Sequence, residues 1–266
     1  SEERQIWLGW VRAQQEPLRP VTDVRLFGSD RWMRVNEPAE RIRVNGMRVR
    51  ARRAPPYAGE TAARGLVAET QVTVNGGKLL GGSREFTQAQ SDLWYARPVK
   101  RGDILHLRVS GSLAVGRPPR QAWPDLGGDA GLRAFPPRGF GTADTLVGYG
   151  RLLTRVEFRS RTAQVKRSRL PVLRNLGFRL VPFAEAGTVW GRTPGAGGSR
   201  VQPVREWKDL HLPRRSDVRW DLGFGLRQEI NYAGILSYAQ LDFAWPMGAH
   251  TGPPRITVPF SKDGMD

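Results

Sequence analysis

The sequence predicts an all-β, antiparallel fold, and three observations carry that prediction. Its 266 residues include 31 Gly and 20 Pro, residues that break helices and suit turns. No stretch reaches the roughly 18 consecutive apolar residues of a membrane helix. Segment after segment alternates apolar and polar residues with period two, as a strand with two chemically different faces does.

The segments follow in order along the chain. Gln5 to Ala13, Val21 to Phe27, Ile42 to Arg52 and Leu66 to Val74 read as strands. Phe86 to Tyr95 reads as a strand, although Phe86, Ala89 and Leu93 also fit helical spacing. In Asp103 to Ala114, Leu105, Leu107, Val109 and Leu113 oppose His106, Arg108, Ser110 and Ser112. Arg151 to Arg159 sets Leu152, Thr154, Val156 and Phe158 against Arg151, Arg155, Glu157 and Arg159. Leu176 to Trp190 follows, and Val218 to Ile230 then sets Trp220, Leu222, Phe224, Leu226 and Ile230 against Arg219, Asp221, Arg227 and Glu229. Near the end Leu241, Phe243 and Trp245 oppose Gln240 and Asp242, and Ile256, Val258 and Phe260 oppose Arg255 and Thr257. Turn-forming clusters such as Asn75-Gly76-Gly77 and Arg117-Pro118-Pro119 separate the segments, and no domain boundary or solenoid repeat interrupts them.

Such alternation fits two settings. A soluble sandwich points its apolar face at a dry core, whereas an outer-membrane barrel points it at lipid and keeps a wet lumen. Charge is dense on the polar faces, as a lumen allows. Trp190, Trp220, Trp245, Tyr149 and Tyr238 fall at or near strand ends, where membrane barrels carry aromatic girdles.

The chain has no cysteine, which excludes disulfides, thiolate metal sites and cysteine nucleophiles. Its histidines, His106, His211 and His250, show no metal-ligand spacing, and no cofactor is expected. There is no nucleophile elbow and no P-loop; "GGK" at 76–78 reads as a turn and "RGD" at 101–103 as a chance match, so no enzyme is expected. The opening "SEERQIWLGW" lacks the basic-then-apolar pattern of a signal peptide. A formal charge of +17 raises polyanions as partners, and a soluble basic β-protein binding nucleic acid is the alternative reading. Only five of the 42 basic residues are lysine, and the arginines are spread along the whole chain. Arg117, Arg120, Arg192, Arg214 and Arg215 flank predicted strands, where forked guanidinium groups would meet lipid phosphates or anionic glycolipid.

Taken in order, the later words of the chain resemble the bacterial surface antigen superfamily of outer-membrane barrels, which includes barrel-assembly subunits and two-partner secretion transporters. "LGGDAGLRAFPPRGFG" at 126–141 looks like the family's inward-folded loop, whose core is Val/Leu-Arg-Gly-Phe/Tyr. "LLTRVEFR" at 152–159, "FAEAGTVW" at 183–190, "DLGFGLRQEI" at 221–230, "LDFAWPMG" at 241–248 and "RITVPF" at 255–260 look like the five strands that follow it. The resemblance spans roughly residues 80 to 261.

The resemblance implies an antiparallel transmembrane β-barrel in the bacterial outer membrane, with eleven or twelve strands visible as part of a sixteen-stranded barrel. The count implies either a truncated or incomplete barrel or a twelfth strand within residues 14–64. The whole of 1–266 is expected to be a C-terminal barrel domain, truncated at its N-terminal side and without periplasmic domains. The implied function is insertion, assembly or translocation of other proteins, with client polypeptides, outer-membrane lipid and accessory lipoproteins as partners and no nucleic acid. Leu132, Arg133, Ala134 and Phe135 occupy the loop motif, and Arg133 is expected to latch onto the barrel wall beside Glu157, Phe183 and Glu185. Ala134 stands where the family carries glycine, and Glu185 where it carries aspartate. Ile256, Val258 and Phe260 are expected to form one side of the seam between first and last strands, with Pro259 removing one amide donor there.

Overall fold

The computed structural model describes residues 3–15, 41–54, 65–99, 103–119, 122–128, 131–136, 146–160, 178–193, 200–201, 213–232, 235–248, 252–257 and 260–261. Seven long strands open the sheet: β1 (Glu3–Gln15), β2 (Ile42–Ala54), β3 (Gly65–Gly76), β4 (Glu85–Pro98), β5 (Ile104–Gly116), β6 (Gly150–Arg159) and β7 (Arg179–Trp190). A short hairpin, β8 (Arg192–Thr193) with β9 (Arg200–Val201), stands apart. The sheet resumes with β10 (Arg219–Tyr232), β11 (Ile235–Met247), β12 (Arg255–Thr257) and β13 (Phe260–Ser261).

Eleven strands form one antiparallel sheet in the order β1-β2-β3-β4-β5-β6-β7-β10-β11-β12, with β13 also on β11. Sequential neighbours therefore pair throughout, as in an up-and-down barrel wall. No pairing among the described residues joins β1 to β12 or β13, so the described sheet is an open part of a barrel. Among those residues helix is limited to single 3-10 turns, such as Gly77–Leu80 between β3 and β4.

Residues 86–95 lie within β4, paired on both sides by β3 and β5. Two complete ladders outweigh the helical spacing of Phe86, Ala89 and Leu93, because periodicity in a short apolar run is ambiguous without partners. The expected strand at 21–27 lies outside the described residues.

Polarity across the sheet is inverted relative to a soluble protein. In β6, Arg155 and Glu157 are 5% and 6% exposed, whereas Leu152 and Val156 are 44% and 38% exposed. The same holds in β10, where Arg219, Asp221 and Arg227 are buried while Trp220 and Leu222 are exposed, and in β11, where Asp242 is buried and Trp245 exposed. A sheet that presents leucine, valine and tryptophan outward and carboxylates inward suits an apolar surrounding and a polar interior. Trp190, Trp220 and Trp245 share the outer face near the end of the sheet where β7 and β11 finish and β10 begins. Tyr149 turns the other way: it is 3% exposed and packs on Trp123, ring centroids 5.9 Å apart, so it belongs to the interior.

Candidate functional site

Of the connection between β5 and β6, residues 122–128, 131–136 and 146–149 fold onto the buried face of the sheet. Its described parts are tied together locally. Leu126 N–H donates to Leu146 O at 2.9 Å, Leu132 N–H to Leu126 O at 2.6 Å, and Gly128 N–H to Phe135 O at 2.8 Å. Gly128 has φ of 82°, a left-handed turn that a side chain would strain. Leu126, Leu132, Ala134, Phe135 and Leu146 from this loop pack with Leu153 of β6, Phe183 and Val189 of β7 and Ala244 of β11. The cluster is a small apolar core on the inner side of the sheet. On its other flank the loop reaches β4, where Gln88 Nε2 donates to Ala122 O at 3.4 Å.

Arg133 lies at the centre. Its Nη2 donates to Glu157 Oε1, and its Nε lies 3.2 Å from Glu185 Oε1 and 3.3 Å from Asp242 Oδ2, both charge contacts outside hydrogen-bonding geometry. The guanidinium carbon sits 4.1 Å from the centroid of the Phe183 ring, a cation–π contact. Burial alone would lower the guanidinium pKa, but Glu157, Glu185 and Asp242 outweigh that effect and raise it above the ordinary arginine value.

The sheet register brings these wall residues to one place. Arg155 lies opposite Glu185 and Glu185 opposite Asp221; one level along, Glu157 lies opposite Phe183 and Phe183 opposite Gly223. Direct cross-strand neighbours share a face, so all of them look at the loop. Gly223 provides the room: a Cβ there would fall within the Phe183 ring. Arg155 Nε pairs with Glu185 Oε1, and Arg159 holds the second oxygen of Glu157 through Nε and Nη2 at 3.1 and 2.9 Å. Gln240 Nε2 donates to Asp242 Oδ1 at 2.6 Å. Each carboxylate thus meets an amide or a cation, as charges removed from water require.

The loop main chain is held as well. Arg133 N–H donates to Glu185 Oε2 at 2.9 Å, and Ala134 N–H donates to Asp221 Oδ2 at 2.8 Å. Arg155 Nη2 donates to Gly131 O at 2.8 Å, and Arg255 Nη1 of β12 donates to the carbonyls of Arg133 and Phe135 at 3.3 and 2.5 Å.

The structure therefore brings Leu132, Arg133, Ala134, Phe135, Glu157, Phe183 and Glu185 together. Four further residues join them that were not singled out from sequence: Asp221, Asp242, Arg155 and Arg255. The period-two pattern does put Asp221, Asp242 and Arg155 on the charged faces of their strands. What it cannot supply is the register that sets them beside one another.

The expected seam segment borders this cluster through Arg255 and through Thr257, which lies opposite Asp242, while its expected residues are placed elsewhere. Ile256 is exposed in β12, paired with Phe243, and Phe260 pairs with Ala239 in β13; Val258 and Pro259 lie outside the described residues. Of the strand-flanking arginines, Arg117, Arg214 and Arg215 are exposed, and the side chains of Arg120 and Arg192 lie outside the described residues. Among the described residues no cluster of histidine, aspartate and glutamate has metal-site geometry.

Residues 61–261 match the Omp85 superfamily domain, the group to which the ordered motifs of the second half pointed. No curated protein matches the chain.

Proposed function

From its membership of the Omp85 superfamily, to which this chain belongs, we propose that the protein is an integral outer-membrane barrel that inserts or translocates client polypeptides, with residues 1–266 forming the barrel domain. The superfamily is one of bacterial outer-membrane transporters and assembly factors rather than enzymes. The observation that carries the membrane reading is the inverted polarity of β6, β10 and β11, with buried charge and exposed leucine, valine and tryptophan. A soluble nucleic-acid binder would put its arginines in water, whereas Arg133, Arg155, Arg219 and Arg227 are buried here.

Within that reading the loop is a latch. Arg133 supplies the cation, Glu157, Glu185 and Asp242 supply the counter-charge, and Phe183 forms the floor. A guanidinium shared among carboxylates away from water fixes loop position far more firmly than an exposed pair would. Clients would be engaged at the sheet edge near Ile256, Val258 and Phe260 by main-chain pairing. Exposed Arg117, Arg214 and Arg215 support contact with lipid phosphates or anionic glycolipid at the rim, and accessory lipoproteins complete the proposed set of partners.

The test is reconstitution into vesicles with an unfolded outer-membrane protein added outside. Faster appearance of folded client in the bilayer, or of protease-protected client inside the vesicle, is the expected result, and Arg133→Ala should slow it. Neither product forming faster than in empty vesicles overturns the transport reading. A monodisperse protein in detergent-free buffer overturns the membrane reading as well.

A further inference from the structure

Register carries the loop-facing side of the sheet across to the first strands. Arg151, whose Nη1 donates to the loop carbonyl of Asp125 at 2.9 Å, lies opposite Ser112. Ser112 lies opposite Gln90, Gln90 opposite Gln71, Gln71 opposite Arg50, and Arg50 opposite Trp7. These residues share one face. On that face β2 sets Arg48, Arg50 and Arg52 at alternate positions, over a length of roughly 13 Å at the rise of an extended strand.

Few carboxylates answer this stripe. Arg50 Nη2 meets Glu69 Oε2 at 2.8 Å, with side chains 42% and 23% exposed. Among the described residues, Arg48 Nε donates to the Thr73 hydroxyl at 3.3 Å and meets no carboxylate. Arg52 makes no ion pair or hydrogen bond with a side chain among the described residues, and its Nε is buried without a partner. Two guanidinium groups are braced on indole rings, Arg50 at 5.2 Å over Trp7 and Arg108 at 5.3 Å over Trp94. Stacking covers the guanidinium plane and directs its N–H edge; Arg108 spends that edge on Asp92 Oδ1, Nε at 3.3 Å and Nη2 at 3.0 Å, so the cations that answer few carboxylates are those of β2. Gln71 and Ser112 line the same face with neutral donors and acceptors, while Gln88 donates to the loop carbonyl of Ala122 at 3.4 Å and Gln90 to Asp92 Oδ2 at 3.2 Å.

We propose that the inner face of β2–β5 is a track for carboxylate-rich extended segments of a client chain. Cations at alternate positions of one strand match the spacing of carboxylates at alternate positions of an extended peptide, and the neighbouring amides and hydroxyls suit its main chain. β2 precedes the residues 61–261 that match the superfamily domain. The proposal rests on the reading of the protein as a transporter or insertase and names the chemistry of what it handles.

The test is fluorescence anisotropy of a short glutamate-rich peptide with the purified protein in zwitterionic detergent, compared with a serine/glycine peptide of equal length. Preferential binding of the glutamate peptide, weakened by salt, is expected. Arg48→Gln with Arg52→Gln should weaken it roughly tenfold, while lysine at both positions retains most of it. Glu69→Gln removes the competing carboxylate and should tighten binding, so a second variant reads the same site if the glutamine pair folds poorly by its gel mobility. Equal binding of the two peptides, or no change in either variant, overturns the track. Peptide preference without client insertion overturns the transport reading and leaves the track standing; insertion without peptide preference does the reverse.

Discussion

The two halves of the sheet are built from the same alternating pattern and use it differently. From β6 to β12 the inner face is occupied by the chain's own loop, and nearly every charge there meets an opposite charge or an amide. From β1 to β4 the described inner face carries Arg48, Arg50 and Arg52 with Gln71, Gln88 and Gln90; its Arg50–Glu69 pair is 42% and 23% exposed, and Asp92 is taken by Arg108. Inward polarity alone therefore does not decide what a barrel wall does. Among the described residues occupancy differs: charge under the loop is locked, while the β2 arginines meet few carboxylates.

That contrast can be broken by mutation, and the largest effect belongs to the filled half. Glu185→Ala leaves Arg155, Arg133 and the Arg133 amide without their shared acceptor, and should destabilise the barrel by about 3–5 kcal/mol, read as a lower thermal midpoint of the folded band on gels. A loss under about 1 kcal/mol would make the buried cluster no different from a surface pair.

Next come the couplings. Arg133→Ala and Glu185→Ala, alone and together, should be non-additive by about 0.5–3 kcal/mol, as should Arg133→Ala with Glu157→Ala. The size of the two couplings ranks the partners, and additive losses would dissolve the latch. Limited trypsin digestion should show the loop cut faster in each single variant.

A smaller effect is expected from Gly223→Val, which drives a side chain into the space of the Phe183 ring and should cost about 1–3 kcal/mol. Adding Phe183→Ala removes the ring but not the Phe243 carbonyl oxygen, which a Cβ at 223 would also meet, so the double variant should recover only part of the loss. The smallest effect belongs to the open half. Arg50→Ala should change stability by no more than about 1 kcal/mol, because its pair with Glu69 is largely solvated. A loss as large as that of Glu185→Ala would show that the first strands enclose more than their exposed pair suggests.

Much of this architecture was legible in the sequence, for a definite reason. Period two assigns faces without knowledge of partners, so Phe183 and Glu185 share a face and Glu157 lies on the polar face of its strand, while the family resemblance implied that these faces meet the loop. The partners themselves were not legible. Asp221 reaches the Ala134 amide and Asp242 reaches Arg133 through registers set by β7, β10 and β11, and register is invisible in one strand read by itself. Tyr149 was misassigned to a girdle because it precedes β6, where alternation no longer fixes direction. The ambiguity of 86–95 has the same origin: only pairing with β3 and β5 separates a strand from a helix there.

The grip on the loop is largely a grip on its main chain. Asp221 holds an amide, Arg155 and Arg255 hold carbonyls, and Glu185 holds the amide of Arg133 in addition to its charge. None of these bonds depends on which side chain the loop residue carries. A wall that recognises peptide groups leaves the neighbouring positions free to drift, which is how an alanine can occupy position 134 with its amide bound and its methyl in the apolar cluster. One arginine fixes the address of the loop, its glycines and buried apolar side chains fix its shape, and position 134 shows where change is tolerated.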